Sequence, residues 1–294
     1  YASGAPHAPH HVAPEWIEPF AGRFDRGWDV WREETFARQK DLGIVPPDAE
    51  LSERPDWVEA WDDVDPDRQR LYARMMEVYA AFVAHVDHHV GRVLDEIEAA
   101  GQTDNTIVML ISDNGASAEG GPNGSWNQLR HYISDEADDI DEELAHIEDL
   151  GGFNSSGHYP WGWALAGNTP FRRWKRYTFE GGVRDPLIVS WPGGIGDAGG
   201  IRDQYVHVVD LMPTVLDLVG IDAPDQRNGV PQMSIDGVTL RETLTDAAAE
   251  DPRTEQYYEC WGSRAIYADG WKAVTNHVNQ LTAAERDHIV GSDD

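Results

Sequence analysis

Only one cysteine, Cys260, occurs in 294 residues, so no intrachain disulfide can form and no zinc site built from several thiolates is available. Lysine is almost as scarce: Lys40, Lys175 and Lys272 are the only three, and the other 20 of the 23 basic residues are arginines. Apolar runs are short, and none approaches the roughly 20 consecutive residues that carry a helix across a bilayer, which predicts no membrane span. Basic residues are too few to balance the acids, 23 against 53, and the formal net charge is −30. Such a surface repels a phosphate backbone and argues against nucleic acid as a partner. At about 1 M salt the Debye length falls to roughly 3 Å and the self-repulsion fades, so the composition points to a salt-adapted source, with an ordinary acidic bacterial protein as the alternative. The chain opens at Tyr1 with neither an initiator Met nor a basic-then-apolar leader, which predicts a piece of a longer protein. Without disulfides the compartment stays open between cytoplasm and periplasm, the cytoplasm being favoured.

What is present is aromatic. Twelve Trp, ten Tyr and seven Phe within a 40% hydrophobic composition exclude a disordered chain and predict a sizeable core. Prolines at 6, 9, 14, 19, 46, 47 and 55 make residues 1–64 read as loop-rich. Asp65-Pro66 is an N-cap followed by proline at the first helical position. Tyr72, Met75, Tyr79, Phe82, Val86, Val90, Val93 and Ile97 then form one stripe of a long helix that Gly101 ends. The unbroken apolar run 106–111 reads as a strand covered on both faces, as in a parallel sheet, and 187–191 as another. A helix over 138–150 and a second from Asp210 to Val219, stopped by Gly220, follow the same periodicity. Alternation from Tyr257 to Val274 predicts small antiparallel strands.

Three places carry chemistry. The strand ending at 111 empties into Ser112-Asp113-Asn114-Gly115, and ligands in α/β sheets bind beyond the carboxyl ends of strands. Asp113 and Asn114 supply the hard oxygens that calcium or magnesium prefers, although an Asx turn explains the same pattern. Arg172, Arg173, Lys175 and Arg176 put four cations in five positions, a place to hold an anion or merely a solvated basic loop. In the opening Ala5-Pro6-His7-Ala8-Pro9-His10-His11, prolines hold the backbone extended and can aim a histidine into a cleft, although proline-flanked histidines are also ordinary on surface loops.

Other patterns read as structural. Gly194-Ile195-Gly196-Asp197-Ala198-Gly199 matches a dinucleotide loop in letters, but an extended stretch rather than a helix follows it. His85, His88 and His89 have zinc-like spacing, yet packed or hydrogen-bonded histidines are the better reading. The acids from Asp135 to Asp149 lack the glycine of a calcium loop and read as a solvated helix face.

Taken together and in order, His7 and Pro9, Ser112-Asp113-Asn114-Gly115, and Lys175 followed by Glu180-Gly181-Gly182 resemble the arylsulfatase family, the formylglycine-dependent sulfatases of the alkaline-phosphatase-like superfamily. Arg184, Pro186, Trp191-Pro192, the helix around Asp210 and the late Asp269-Gly270-Trp271-Lys272 extend the resemblance. His158-Tyr159-Pro160-Trp161-Gly162-Trp163 is similar to a stretch of the larger bacterial arylsulfatases. The resemblance implies an α/β class, an alkaline-phosphatase-like α/β/α sandwich truncated at its N-terminus, with a small C-terminal antiparallel α+β part. Residues 1–222 would be the C-terminal half of the catalytic domain and 223–294 the start of the small subdomain. It implies that Asp113 and Asn114 ligate Ca2+ (Mg2+ being possible), that His7 and Lys175 contact the sulfate group, and that the substrate is a small-molecule sulfate ester.

Two departures stand out. The family's nucleophile, a formylglycine made within a Cys-x-Pro-x-Arg motif, is expected upstream. Cys260-Trp261-Gly262-Ser263-Arg264 has glycine where that motif has proline, so this chain alone is expected to be inactive. Asp185 stands where many family members have an apolar residue. The rival expectations are a phosphate or phosphonate ester hydrolase of the same superfamily and a non-catalytic calcium- or anion-binding module.

Overall fold

The computed structural model describes residues 1–130 and 139–277. Its largest element is helix α3, Pro66–Ala99. Asp65 caps it as expected, its side chain accepting from the Asp67 and Arg68 amides, and Gly101 follows its C-terminus with φ +66°. The first half of the stripe is buried through Leu71, Tyr72, Met75, Met76, Val78 and Ala81. Further along, Phe82 packs on the core and Trp16 lies against His85 and His88, and toward the C-terminus Val93 and Leu94 are exposed.

Residues 1–64 are more helical than their prolines predict. After the short α1 (Pro14–Ile17) comes α2, Gly27–Asp41, fifteen residues long. It escapes a periodicity search because its buried residues are Gly27, Trp28 and Arg32, so the inward face contains an arginine in place of an aliphatic stripe. Arg32 is tolerated there because its guanidinium donates to the Ser52 carbonyl at 2.7 Å and the Ser52 hydroxyl at 3.0 Å. Gly27 is required by contact as well as by its φ of +76°: a Cβ would lie 2.0 Å from the Trp61 ring.

The predicted 138–150 helix is two pieces, α4 (Ile140–Ala145) and a 3-10 turn at Ile147–Asp149; residue 138 lies outside the described residues. Helix α5, Trp161–Gly167, packs on α2 and is almost wholly buried. Trp28, Trp61 and Trp163 meet edge-to-face or tilted, with centroids 4.7 to 5.9 Å apart, and Trp57 lies edge-on to both Trp161 and Trp174. Such pairs add about 0.5–1.5 kcal/mol each beyond area burial.

The chain is mixed α/β, as expected, but the strand reading needs correction. Strand β1 (Val108–Ile111) pairs with β2 (Leu187–Ser190) antiparallel, with Val108 opposite Ser190 and Ile111 opposite Leu187. Neither strand is covered on both faces: Leu110 and Ile111 are each 45% exposed and Ile188 is 60% exposed. An unbroken apolar run signals a demand for cover and carries no information about strand direction. Helix α6 is the short turn Glu180–Val183, and α7 spans Leu211–Val219 with Gly220 left-handed at its end, as predicted.

A small hairpin, β3 (Gln226–Arg227) with β4 (Val230–Pro231), and helix α8 (Arg241–Thr245) precede the C-terminal sheet. That sheet is the expected antiparallel meander, β5 (Glu255–Cys260), β6 (Ser263–Ala268) and β7 (Trp271–Thr275). Lys272 docks it onto α6 through a 2.6 Å ion pair with Glu180, and Arg253 pairs with Asp210, which is fully buried. Residues 200–207 form no helix after the Gly194–Gly199 glycines, so that string is not a dinucleotide loop. His85 and His89 are hydrogen-bond partners (Nε2 to Nε2, 3.1 Å) under Trp16. Among the described residues no group of three or more His, Cys, Asp or Glu side chains could hold a metal ion.

Candidate active site

The cationic stretch is divided by the fold. Arg173 turns inward, 2% exposed, over the rings of Trp57, Tyr177 and Phe179, while Arg172 lies over Phe179 and Arg176 over Trp261. Lys175 takes another direction. It sits between Arg173 and Arg176, both left-handed (φ +67° and +79°), a backbone that persists only where packing imposes it. Trp174, buried against Trp161, anchors this turn, and the two glycines of α6 close it. A Cβ on Gly181 would meet the Arg173 carbonyl oxygen at 2.2 Å, and one on Gly182 would meet that of Tyr177 at 2.2 Å.

This loop lies along the one that follows β1. The Lys175 amide donates to the Ala116 carbonyl at 3.0 Å, and the Ala116 amide donates to Oδ1 of Asn168 at 2.8 Å. Asn168 is fixed in turn by donating to the Ala164 carbonyl of α5. Gly115 is pressed so close that a Cβ would stand 1.8 Å from the Gly181 carbonyl oxygen.

His7 reaches the same place from 168 residues away: its Nε2 lies 3.3 Å from Lys175 Nζ. Its Nδ1 is 2.7 Å from the Ala8 carbonyl, an oxygen that only accepts, so Nδ1 carries the proton and Nε2 accepts from the ammonium. A third group completes the cluster. Glu119 Oε2 is 3.1 Å from Lys175 Nζ and accepts from the Ser117 hydroxyl at 3.0 Å. Burial works against its charge, but the hydrogen bonds from Lys175 and Ser117 prevail and hold Glu119 below the usual carboxylate range.

Asp113 and Asn114 occupy the same loop, three and two residues before Ala116. Asn114 donates through Nδ2 to the Gly115 carbonyl at 3.0 Å, which leaves Oδ1 as its acceptor. Asp113 is solvent-exposed. The β1–β2 ladder continues past Ile111 through a Ser112 amide to Pro186 carbonyl bond of 3.3 Å. Partial burial, and then the charge of Asp113, push the Asp185 carboxyl up to about 7. The Asp113 carboxylate and the Asn114 amide oxygen are hard donors of the kind a calcium ion takes, so the chemistry of these two residues suits part of a ligand set.

Behind His7 lie two buried histidines. His10 and His158 face each other at 5.3 Å between centroids, packed with Tyr79 and Tyr159. His158 donates through Nδ1 to the Tyr159 carbonyl at 2.9 Å. Burial lowers it to about 4, and burial followed by the neighbouring histidines holds His10 far down as well. Both are neutral near pH 7.

Sequence reasoning named His7, Lys175, Asp113 and Asn114; it missed Glu119, Ser117 and the role of Asn168 as a clamp. One glutamate among 53 acidic residues gives no signal of its own, and the nearest clue is its place five residues after Asn114. Cys260, at the end of β5, is a half-buried free thiol.

Residues 1–221 match the sulfatase family model, and residues 172–278 match the model for the C-terminal part of N-sulphoglucosamine sulphohydrolase. An uncharacterised sulfatase of Schizosaccharomyces pombe is 35% identical over 76% of this chain and 39% of its own length. An arylsulfatase of Klebsiella aerogenes is 29% identical over 80% of this chain and 49% of its own. Among solved structures, Ps i-CgsB aligns over 85% of this chain and 46% of its own length, with 20% identity and a TM-score of 0.45. The chain thus spans half or less of the length of these relatives.

Proposed function

This chain belongs to the sulfatase family, and we propose that the protein containing it is an arylsulfatase-type enzyme hydrolysing small-molecule sulfate monoesters at the His7–Lys175 cluster. The observation that carries the reading is the 3.3 Å approach of His7 to Lys175, 168 residues apart within the matched segment, in a chain whose net charge is −30. An ammonium with an imidazole beside it, held in an acidic molecule, suits an anionic group. Lys175 neutralises charge on a sulfuryl oxygen, and this contact gains strength as charge develops in the transition state. His7 keeps its Nδ1 proton on the Ala8 carbonyl, and its Nε2, which here accepts from Lys175, is the nitrogen that would hold or pass a proton at the departing oxygen once substrate takes over the ammonium.

Asp113 and Asn114 would hold a calcium ion, with magnesium as the alternative hard cation. Bound there, a dication would supply polarisation of the sulfuryl oxygens. The nucleophile, a formylglycine in this reading, lies outside these residues: the single cysteine stands in Cys260-Trp261-Gly262-Ser263-Arg264, which lacks the proline of the modification motif. Support for a longer enzyme comes from the coverage of the relatives, half or less of their length. In the same reading residues 1–222 belong to the catalytic domain and 223–294 begin the smaller subdomain.

The full-length protein, assayed on 4-nitrophenyl sulfate and 4-nitrophenyl phosphate, should prefer the sulfate. Lys175→Ala should lower sulfate turnover by about 10² or more, as loss of one transition-state charge contact does. Preference for the phosphate would transfer the reading to a phosphoryl-transfer enzyme, and normal turnover in Lys175→Ala would move the site elsewhere.

A further inference from the structure

Lys175 is one of three lysines in the chain, and its ammonium is shared. Of its three N–H groups, one is directed to Glu119 Oε2 at 3.1 Å and one to His7 Nε2 at 3.3 Å, which leaves one for a substrate oxygen. Lysine is a compact charge on a flexible four-carbon stem, so the direction of that third N–H depends on what holds the other two. His7 is a weak anchor, because it belongs to an exposed loop. Glu119 is a firm one. Its Oε2 accepts from the Ser117 hydroxyl at 3.0 Å, while its own amide donates back to the Ser117 oxygen at 3.2 Å. The next residue, Gly120, is packed so tightly on the buried His158–Tyr159 segment that a Cβ would stand 2.3 Å from the Tyr159 carbonyl oxygen. The carboxylate is therefore fixed to the core on one side and grips the ammonium on the other.

We propose that Glu119 is a positioning residue of the anion site: it fixes Lys175, and through Lys175 the approach of His7, so that one ammonium proton is aimed at the oxyanion. The inference rests on the sulfate-ester reading above. A negative charge next to a site for anions weakens ground-state binding by ordinary repulsion, which makes Glu119 unfavourable as a mere neighbour. Its contribution is to geometry, and geometry acts on the chemical step more than on binding.

That assignment separates kcat from KM. In the full-length enzyme acting on 4-nitrophenyl sulfate, Glu119→Ala should lower kcat about 10-fold, with KM unchanged or lower because the repelling charge is gone. Glu119→Gln, which keeps the shape and an accepting oxygen, should recover part of the loss. The variant carrying both Glu119→Ala and Lys175→Ala should be no slower than Lys175→Ala alone, since Glu119 has then lost the group it acts through. If Lys175→Ala is impaired but both Glu119 variants turn over normally, the positioning role is wrong and the sulfate reading survives. A double variant clearly slower than Lys175→Ala, or a raised KM with normal kcat, would equally overturn it. If Lys175→Ala itself is normal, the failure belongs to the sulfate reading. Should Glu119→Ala fail to fold, the Glu119→Gln kinetics decide alone.

Discussion

The aromatic core and the β1–β2 ladder are both made from apolar sequence, and they end in opposite environments. Trp28, Trp61, Trp161 and Trp163 are buried by α2, α3 and α5, all within the described chain. Leu110, Ile111 and Ile188 on the ladder, with Val208, Met212 and Val219 around α7, remain exposed. The difference is one of supply. Apolar surface is stabilised by about 25 cal/mol for each Å² removed from water, wherever the covering group comes from. In the first region helices of the described chain, drawn from 27–41, 66–99 and 161–167, provide that cover. In the second the described residues do not, and these apolar side chains stay in water.

The contrast can be broken by mutation. Trp163→Ala should cost about 3–5 kcal/mol, because it empties a fully buried site and removes the indole N–H donated to the Tyr72 carbonyl. Urea unfolding measures this, and a loss below about 1 kcal/mol would mean the core is far looser than its contacts indicate.

The next effect is a dependence on pH. His158 is lowered to about 4 when folded, against 6.5 for the unperturbed side chain. Between those values the unfolded chain binds a proton that the folded chain refuses. The stabilisation is therefore whole above the unfolded value and declines as pH falls toward the folded one, by about 3 kcal/mol in all. His10, also lowered, acts with the same sign. Urea midpoints compared at about pH 7 and about pH 4.5 should fall, and fall less in His158→Asn, which cannot take the proton. An identical decline in that variant would place the acid sensitivity elsewhere.

The smallest effect is expected on the ladder. Ile188→Thr, at a strand position already largely in water, should change the stability of this chain by no more than about 0.5 kcal/mol. A loss of several kcal/mol would show that the face is covered after all.

Legibility in the sequence follows the same division. The Asp65 cap, the Gly101 and Gly220 stops and the 255–275 meander were readable because each depends on residues within a turn or a hairpin of one another. Helix α2 was not, since its inward face contains Arg32, whose burial depends on Ser52, twenty residues away. The cationic stretch was visible as composition; that Arg173 serves the core and Lys175 the cluster was not.

By itself the sequence determined the charge, the aromatic supply, the local starts and stops, and a family pattern spread over 1–221. Tertiary structure alone decided that His7 meets Lys175, that Glu119 holds the same ammonium, and that the two apolar strands run antiparallel with a face left open. The reason is physical: caps, turns and periodicity are settled by neighbours a few bonds away. A contact across 168 residues exists only after loop closure has been offset by the packing of everything between.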